Sequence, residues 1–289
     1  MRLHAYVLAA DPTWIARTVP QWYPYVDRLV VSFDADGIGW AGAPVPVQQC
    51  RDALKALDFD HKIVELPGNY SSALAHLTPM EKDTAQRQAA LRVAGEGADW
   101  VLQLDTDELL PDPATLLSWL TTADVLGCAG LEWPMRVLFR RTRRGFLQVI
   151  NKDRSAHFEY PGPIAVRPEV ALVDCRRIAE NILRVCVEGD NSLQLQRPAA
   201  SNEVRRGGLP AAQAVIHNSW ARERSSVHRK VRSWGHSDGW RSRAYFWATW
   251  FPAPLIWRWQ RDLHPFSRGL WQRLGQLPTA IAAPETVTR

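Results

Sequence analysis

The amino-acid sequence predicts an α/β fold with a mostly parallel sheet that is flanked by helices on both faces. The first observation is that short apolar runs of strand length alternate with longer helical segments through the first half of the chain. Strands that alternate with helices in this way pair in parallel. The second observation is the size and composition of the chain, which has 289 residues, 46% of them hydrophobic and 22% charged. The composition is that of an ordinary globular protein, and the length is enough for one large α/β domain or for a domain with a substantial appendage.

The first half of the chain contains four predicted strands, each followed by a predicted helix. The strands cover residues 3–9, 26–34, 61–66 and 100–104. The helices cover residues 13–23, 47–57, 79–94 and 113–120. The third helix has the clearest start, because Thr78, Pro79 and Glu81 form a capping box with proline in the first turn. It is predicted to end before Gly95.

The second half of the chain is less periodic, as expected of residues that shape a substrate cleft. One long strand is predicted over residues 130–139, and a polar, aromatic loop over residues 151–163. Shorter strand-like runs cover residues 170–173, 183–187 and 214–216. A basic helix is predicted over residues 223–234, and the tail from residue 240 is aromatic, basic and interrupted by prolines.

The cysteine usage and the lack of long apolar segments indicate in which cellular compartment the protein is expected. The chain has four cysteines without C-x-x-C spacing, which argues against a zinc cluster or a disulfide framework. This usage is typical of a reducing cytosol, so we predict a cytoplasmic protein. Residues 1–8 have too short an apolar core for a signal peptide, and no stretch reaches the roughly 18 apolar residues of a membrane-spanning helix.

The stretch after the fourth strand carries three acids, Asp105, Asp107 and Glu108. Carboxylates that follow a buried strand repel one another unless positive charge lies nearby. A divalent cation is one source of that charge, because Mg²⁺ and Mn²⁺ prefer oxygen ligands. An extended backbone would send Asp105 and Asp107 to the same side. The alternative is a solvated turn, with Pro111 and Asp112 opening the next helix.

Asp34 ends a predicted strand, so Asp34 and Asp105 should face one cleft beyond the carboxyl ends of the sheet. Asp34 would accept hydrogen bonds from a nucleobase or ribose there, or would only form a turn with Gly37. Asp83 and Arg87 are spaced i,i+4, which predicts an ion pair. Arg87 facing the cleft is the alternative.

His217 follows an apolar run and is the best candidate for a third metal ligand, although a single histidine is more often structural. Four basic residues come soon after it, and such residues either bind phosphate or form a solvated surface. They are Arg222, Arg224, Arg229 and Lys230.

The order of Asp34, Arg87 and the run Asp105-Thr106-Asp107-Glu108 resembles the nucleotide-sugar half of GT-A fold glycosyltransferases, particularly family-2-like enzymes. In these enzymes the D-x-D motif often extends to D-x-D-E followed by apolar residues, as it does here. The later pattern of His217, Arg224-Ser225 and Lys230-Val231 is similar to a His…Arg-Ser…Lys pattern of some family-2-like bacterial enzymes. The resemblance covers about residues 1–235.

The resemblance implies a glycosyltransferase that moves a sugar from a nucleotide-diphosphate sugar to an acceptor, with inversion as the expected course. It implies Mn²⁺ or Mg²⁺ as the cofactor. The implied metal ligands are Asp105, Asp107 and His217. The implied donor-binding residues are Ala9, Asp34, Asp83, Arg87, Asp105, Thr106, Arg224 and Lys230. The implied acceptor-side residues are Glu108, His157 and Trp220.

An inverting transfer needs a general base near the acceptor nucleophile. The candidates are Asp153, Glu159 and Asp190, and the sequence is equally consistent with each of them being an ordinary surface acid.

The predicted domains are a catalytic domain over residues 1–235 and an aromatic, basic helical extension over residues 236–289. The catalytic domain divides into a nucleotide-sugar half (1–125) and an acceptor half (126–235).

The C-terminal region differs from the rest in charge. Residues 222–273 contain eleven Lys or Arg and three acids, a net charge of +8, whereas the whole chain has a net charge of +5. Seven of the fourteen tryptophans also lie there. Tryptophan with arginine is typical of a segment that lies on anionic lipid, so residues 240–275 would place the protein at the inner face of the membrane. The alternative, which we favour slightly, is that the aromatic residues pack over the catalytic domain.

The acceptor of the predicted glycosyltransferase is a glycan, a lipid-linked glycan, a protein or a small molecule.

Two function classes other than a glycosyltransferase are also open. A metal-dependent nucleotidyl- or phosphotransferase would also use Asp105 and Asp107, but no phosphate-binding glycine motif follows the first strand. A nucleic-acid-binding protein would use the basic, aromatic C-terminus. That class leaves the acids unexplained, so no nucleic acid is expected as a partner.

Overall fold

The computed structural model describes residues 1–233 and 239–277, which form an eight-stranded sheet, a five-stranded sheet and a two-stranded hairpin. The strands are β1 (Leu3–Leu8), β2 (Arg28–Asp34), β3 (Ile63–Gly68), β4 (Trp100–Leu102), β5 (Glu108–Leu109), β6 (Gly130–Glu132), β7 (Met135–Thr142), β8 (Gly145–Ile150), β9 (Pro163–Val166), β10 (Leu172–Asp174), β11 (Arg177–Ile178), β12 (Ile182–Val187), β13 (Glu203–Leu209), β14 (Val215–His217) and β15 (Arg273–Leu277). The helices are α1 (Ile15–Trp22), α2 (Val47–Lys55), α3 (Pro79–Ala94), α4 (Pro113–Val125), α5 (Leu193–Gln196), α6 (Arg224–Ser233), α7 (Gly239–Tyr245) and α8 (Ala253–Ile256), with a π-helical segment at Phe246–Trp250.

The large sheet has the strand order β13-β12-β6-β9-β4-β1-β2-β3. Its neighbouring strands are parallel except at β9, which is antiparallel to both β4 and β6. The predicted α/β fold with a mostly parallel sheet flanked by helices is therefore confirmed. The order changes direction at β1, because β2 lies on one side of it and β4 on the other. Such a change of direction opens a crevice beyond the carboxyl ends of the strands.

Alternating residues of the central strands pack against helices on opposite faces of this sheet, as the two-residue period of a strand requires. On one face, Val7 and Val31 join a core that includes residues of α1, α2 and α4. On the other face, Tyr6 and Val30 join a core that includes residues of α3 and the β10–β11 hairpin. Both faces of the sheet are thus covered.

The best-defined helix follows its prediction. Thr78 accepts a hydrogen bond from the backbone N–H of Glu81, the Glu81 side chain accepts one from the backbone N–H of Thr78, and Gly95 caps the other end of α3. Local hydrogen bonds of this kind depend on a few adjacent residues, which is why the sequence alone identifies them.

The single strand predicted over residues 130–139 is wrong, because the chain bends at Trp133-Pro134 and β6 and β7 belong to different sheets. Pro134 has no backbone N–H for a sheet ladder, so a break at this position has a physical reason. Among the described residues, six strands were not indicated by the sequence, namely β5, β8, β9, β11, β13 and β15. β13 reads Glu-Val-Arg-Arg-Gly-Gly-Leu, which lacks the apolar pattern of a buried strand.

The smaller sheet has the order β15-β8-β7-β14-β5. β14 is parallel to β7, whereas the other pairs are antiparallel. β5 starts directly after Asp107, so the acidic stretch passes from the large sheet into the small one. Pairing of β15 with β8 joins the C-terminal region to the same sheet. The domain boundary predicted at residue 235 and the end of the basic helix at residue 234 lie outside the described residues.

Across the described part of the chain, no helix combines the length and the apolar character needed to cross a membrane.

Candidate active site

A cavity of about 510 Å³ lies at the change of strand direction in the large sheet. The residues that follow β1, β2 and β4 line one side of it. Helix α3 and the β10–β11 hairpin line a second side, and β14 and α6 line a third. Pockets of this size and position commonly bind small molecules, so this cavity is the candidate active site.

The acidic stretch forms a turn at the base of the cavity. β4 ends at Leu102, and the turn closes with a hydrogen bond of 3.0 Å from the Glu108 N–H to the Asp105 carbonyl. Thr106 is fixed in it by a hydrogen bond to the Asp11 carbonyl at 3.1 Å, and its own carbonyl accepts one from Thr18 at 2.7 Å. The expectation of an extended backbone through these residues is wrong, although Asp105 and Asp107 both line the cavity.

Asp105 is bound by two arginines. Arg87 Nη2 lies 2.9 and 3.1 Å from its two carboxylate oxygens, and Arg176 Nη2 lies 2.9 Å from Oδ2. Burial raises the pKa of Asp105, but the charges of Arg87 and Arg176 outweigh burial and leave the pKa below its usual range. Arg87 also donates to Asp83 at 2.7 Å. Both alternatives considered for Arg87 therefore hold, since it forms the i,i+4 ion pair and faces the cavity.

Asp107 contacts a different set of groups. Arg222 forms a close ion pair with Asp107 through one terminal nitrogen and with Asp11 through the other. His217 Nε2 lies 3.7 Å from the Asp107 carboxylate, because β14 pairs with β5 and places His217 opposite Glu108. Burial opposes ionisation of Asp107, yet Arg222 and then His217 keep its pKa well below the usual range.

Lys230, a residue of α6, lines the cavity. Its ammonium group donates a hydrogen bond to Ser219. Burial, followed by the neighbouring charge of Arg222, lowers the pKa of Lys230 to about 8, against the opposing effect of Asp107, Asp105 and Asp11. The charge of this side chain therefore changes in the mildly alkaline range.

The residues around the acids fit a metal ion poorly. Within residues 1–233 and 239–277 there is no group of three His, Cys, Asp or Glu side chains placed to hold one ion. Both oxygens of Asp105 accept from guanidinium groups, and Arg222 lies between Asp11 and Asp107, where a cation would have to enter. The positive charge that the acids require comes from the protein. The metal site predicted at Asp105, Asp107 and His217 is not formed in this arrangement.

Glu108 does not face the acceptor side of the cavity. Its side chain is fully buried and binds Arg176 through both oxygens, at 2.7 and 3.0 Å. It also accepts a hydrogen bond of 3.0 Å from the Asp105 N–H. The acceptor contact predicted for Glu108 lacks support from this geometry, because the buried side chain positions Arg176 against Asp105.

Asp34 lines the cavity beside Trp40. Each of its carboxylate oxygens accepts two backbone N–H groups at 2.9 to 3.2 Å, from Asp36 and Ile38 on one oxygen and from Tyr70 and Ser71 on the other. The carboxylate therefore joins the loops after β2 and β3 in the manner of a turn former. The indole of Trp40 donates to Gln86 at 2.8 Å and forms part of the cavity wall next to these loops.

Of the three base candidates, Glu159 lines the cavity. It accepts a hydrogen bond from the indole of Trp271, and His157 Nε2 lies 3.8 Å away. Burial raises the pKa of Glu159, but its contacts with His157 and Trp271 leave the pKa below the usual value. Asp153 lies instead in an exposed turn with Ser155, and Asp190 accepts from the Tyr160 hydroxyl at 2.7 Å.

Three other predicted residues lie away from the cavity. Arg224 stacks its guanidinium over Trp247 and Phe251, which faces it outward from α6. Trp220 packs in the core of the small sheet, and His157 is buried with Nδ1 3.0 Å from the Asn151 side chain. Donor binding by Arg224 and acceptor binding by His157 and Trp220 therefore lack support. Ala9, Asp83 and Thr106 do line the cavity.

The cavity also contains residues that the sequence did not indicate as site residues. Asp11 lies just beyond the end of β1, much as Asp34 lies at the end of β2, so the same rule about strand ends applies to it. Arg176 lies in a short hairpin, 71 residues from Asp105, and no local pattern points to it. Trp40 lies in a loop rich in glycine and proline, where the sequence shows no period.

No protein-family model and no curated protein matches the chain. Among solved structures it resembles 4-diphosphocytidyl-2C-methyl-D-erythritol synthase from Anaerococcus prevotii, with a TM-score of 0.32 and 13% identity over 58% of this chain and 70% of that one. It resembles CMP:2-keto-3-deoxy-manno-octonic acid synthetase complexed with CTP, with a TM-score of 0.32 and 9% identity over 72% of this chain and 91% of that one. For mannose-1-phosphate geranyltransferase from Thermus thermophilus the TM-score is 0.30 and the identity 13%, over 58% of this chain and half (50%) of that one. Likenesses this distant carry no weight for function, which we infer from the cavity.

Proposed function

We propose that this protein is a glycosyltransferase that moves a sugar from a nucleoside-diphosphate sugar to an acceptor. The observation that carries the proposal is the set of three cationic side chains, Arg87, Arg222 and Lys230, that line the cavity. Guanidinium and ammonium groups bind anionic oxygens through charge-assisted hydrogen bonds, so a ligand with such oxygens complements these side chains.

A diphosphate is such a ligand, and it is also the leaving group of the proposed reaction. Arg222 precedes α6, Lys230 lies on α6 and Arg87 lies on α3, and all three side chains line the cavity. Cationic groups that are fixed before the reaction stabilise the charge that develops on a departing diphosphate. In this proposal the arginines and the lysine supply the positive charge, and no step depends on a metal ion.

The nucleoside would lie against the loops after β2 and β3. Trp40 offers a flat apolar surface there, and aromatic rings of this kind stack well on nucleobases. Asp34 acts by holding the loops in place rather than through a free carboxylate, since its four hydrogen bonds with backbone N–H groups occupy both oxygens. The proposal thus assigns base recognition chiefly to the loop backbone and Trp40.

The acceptor would lie on the side of Glu159. An inverting transfer requires a general base that accepts a proton from the acceptor nucleophile as the new bond forms, and a carboxylate can fill this role. Glu159 lines the cavity, and the contacts that lower its pKa keep the carboxylate in the ionised form at neutral pH. Glu159 is therefore the base we propose, in preference to Asp153 and Asp190.

The proposal is tested by isothermal titration with UDP-, GDP-, CDP- and dTDP-sugars, in EDTA and again with Mn²⁺. We expect at least one nucleotide to bind in EDTA and to bind roughly tenfold or more weakly to the Lys230→Met variant. Arg224→Met is the matched control, because it removes a cation from the same helix that faces away from the cavity. Equal losses in both variants, or no binding by the wild type, would contradict the proposal.

The reaction is tested with the nucleotide that binds. Release of the nucleoside diphosphate, with transfer of the sugar to an added acceptor or to water, is the expected result. Release of pyrophosphate from a nucleoside triphosphate and a sugar phosphate would instead assign the cavity to nucleotidyl transfer and would overturn the glycosyltransferase assignment.

A further inference from the structure

Residues 246–259 present two apolar faces in opposite directions. Phe246, Trp250 and Ala253 are fully buried and pack against the small sheet. The indole of Trp250 donates to the carbonyls of Phe139 and Trp220 at 3.0 and 2.9 Å, which fixes the inner face in position. This half of the segment confirms that part of the C-terminal aromatic region packs over the domain.

The outer face contains an apolar side chain at every fourth residue. We call Trp247, Phe251, Leu255 and Trp259 the outer stripe, and their exposed fractions are 50%, 38%, 82% and 74%. Residues four apart share one side of a helix. The backbone is helical through most of this segment, with the π-helical segment leading into α8 and hydrogen bonds from Trp257 and Gln260 to the carbonyls one turn earlier.

An apolar outer stripe is unusual on a helix whose inner face is already buried. Helices on the surface of a globular protein normally carry polar residues on the side that faces away from the core. Contiguous exposed apolar side chains mark a surface that binds a partner or a membrane. Arg224 stacks on Trp247 and Phe251, and all four side chains of the outer stripe nevertheless remain exposed.

The segment that contains the outer stripe has a net positive charge, although Glu223 also lies near Trp247. Within residues 239–277 there are six arginines and one acid, Asp262, a net charge of +5. Arg224 places its guanidinium 5.0 Å from the ring centre of Trp247 and 4.7 Å from that of Phe251. Arg258 and Arg261 are exposed beside Trp259. A second copy of the same surface would bring like charges together, so charge complementarity favours an anionic partner.

We propose that the outer stripe binds the surface of an anionic phospholipid bilayer and lies in its interfacial plane. Tryptophan side chains are favoured at the level of the lipid head groups, and nearby arginines are attracted to the lipid phosphates. An apolar face combined with cationic flanks is the arrangement by which helices bind a bilayer without crossing it.

Membrane binding is measured by flotation of the full-length protein with two kinds of vesicle, one of phosphatidylcholine alone and one of phosphatidylcholine mixed with the anionic lipid phosphatidylglycerol. The wild type is expected to bind the anionic vesicles, to bind the neutral ones at least tenfold more weakly, and to lose binding as salt is raised. The triple variant Trp247→Ser, Leu255→Ser, Trp259→Ser should lose binding by at least about tenfold.

The matched control changes exposed apolar residues elsewhere. Phe59 and Val125 are 81% and 83% exposed, so Phe59→Ser with Val125→Ser removes exposed apolar surface outside the outer stripe and should leave binding unchanged. Circular dichroism and thermal melting of the triple variant establish that it is folded. Equal binding of the triple variant and the wild type overturns the proposal, and so does equal binding to both kinds of vesicle.

Self-association is the competing use of the outer stripe. A wild-type dimer that the triple variant loses, together with no vesicle binding, overturns the proposal. Nucleotide binding by the triple variant should match the wild type, because the outer stripe is not part of the cavity. Failure of membrane binding would therefore leave the proposed function untouched, and failure of nucleotide binding would leave this proposal untouched.

Discussion

Substitution of Arg176 by methionine is predicted to destabilise the protein more than any exposed substitution would. Arg176 is buried, and its guanidinium makes three ion-pair hydrogen bonds, two to Glu108 at 2.7 and 3.0 Å and one to Asp105 at 2.9 Å. Asp105 keeps Arg87 in the variant, whereas Glu108 retains only the Asp105 N–H. Removal of one partner from a buried ion pair typically costs about 3–5 kcal/mol, because the remaining charge is left uncompensated.

The assay is urea denaturation of the wild type and the variants at neutral pH, followed by circular dichroism. The neighbouring arginine provides the control, since the Arg177 side chain is 59% exposed and lies 3.5 Å from Asp174. Arg177→Met should change the free energy of unfolding by less than about 1 kcal/mol. Addition of Glu108→Leu to Arg176→Met should recover part of the loss, because the unpaired charge is then gone. A loss below about 1 kcal/mol for Arg176→Met would refute the assignment of Glu108 as a structural anchor.

Three predictions concern the cavity itself. Arg222→Met should bind Mn²⁺ more tightly than the wild type in a calorimetric titration, because removal of the guanidinium leaves Asp107 without its ion-pair partner; unchanged affinity would contradict this. Burial, followed by the charge of Arg222, lowers the pKa of Lys230 to about 8, so the ammonium loses its proton as the pH rises through that value. Binding of a nucleoside diphosphate should therefore weaken between about pH 7 and about pH 9 in the wild type but not in Lys230→Met, and parallel pH profiles would count against a role for this charge. Glu159→Gln should reduce kcat by roughly 10²-fold or more with little change in nucleotide affinity, as expected of a general base, and an equal loss of affinity would assign Glu159 to donor binding instead.

The sequence predicted the parts of this protein that depend on local patterns. The apolar runs identified β1 and β2, the capping box identified the start of α3, and the acids after β4 identified the base of the cavity. These features follow from side-chain periodicity and from hydrogen bonds among adjacent residues. Side-chain periodicity determines which face of each helix or strand is buried. The buried faces in turn determine which strands pair, and therefore which strand ends lie together.

The charge balance of the cavity was not predictable from the same patterns. Asp105 and Asp107 suggested a bound cation, but the structure supplies arginines from positions 18, 71 and 115 residues away. Nothing in the sequence near Arg176 or Arg222 indicates which acid each will meet, because the pairing depends on where the hairpin and the chain after β14 fold back. Glu108 illustrates the same point, since its spacing suggested a ligand contact whereas its surroundings make it an internal anchor.

The turn that carries Asp105 and Asp107 also connects the large sheet covalently to the small one, and this has a mechanical consequence. The carbonyl of Asp107 accepts the Asn218 N–H at 2.9 Å, and Thr106 is tied to the segment after β1. A rotation of one sheet against the other would have to break these bonds at the floor of the cavity. We therefore expect the two sheets to respond to a ligand as a single rigid frame, with adjustment confined to side chains such as Arg222 and Lys230. Small-angle X-ray scattering should accordingly give the same radius of gyration with and without a bound nucleotide.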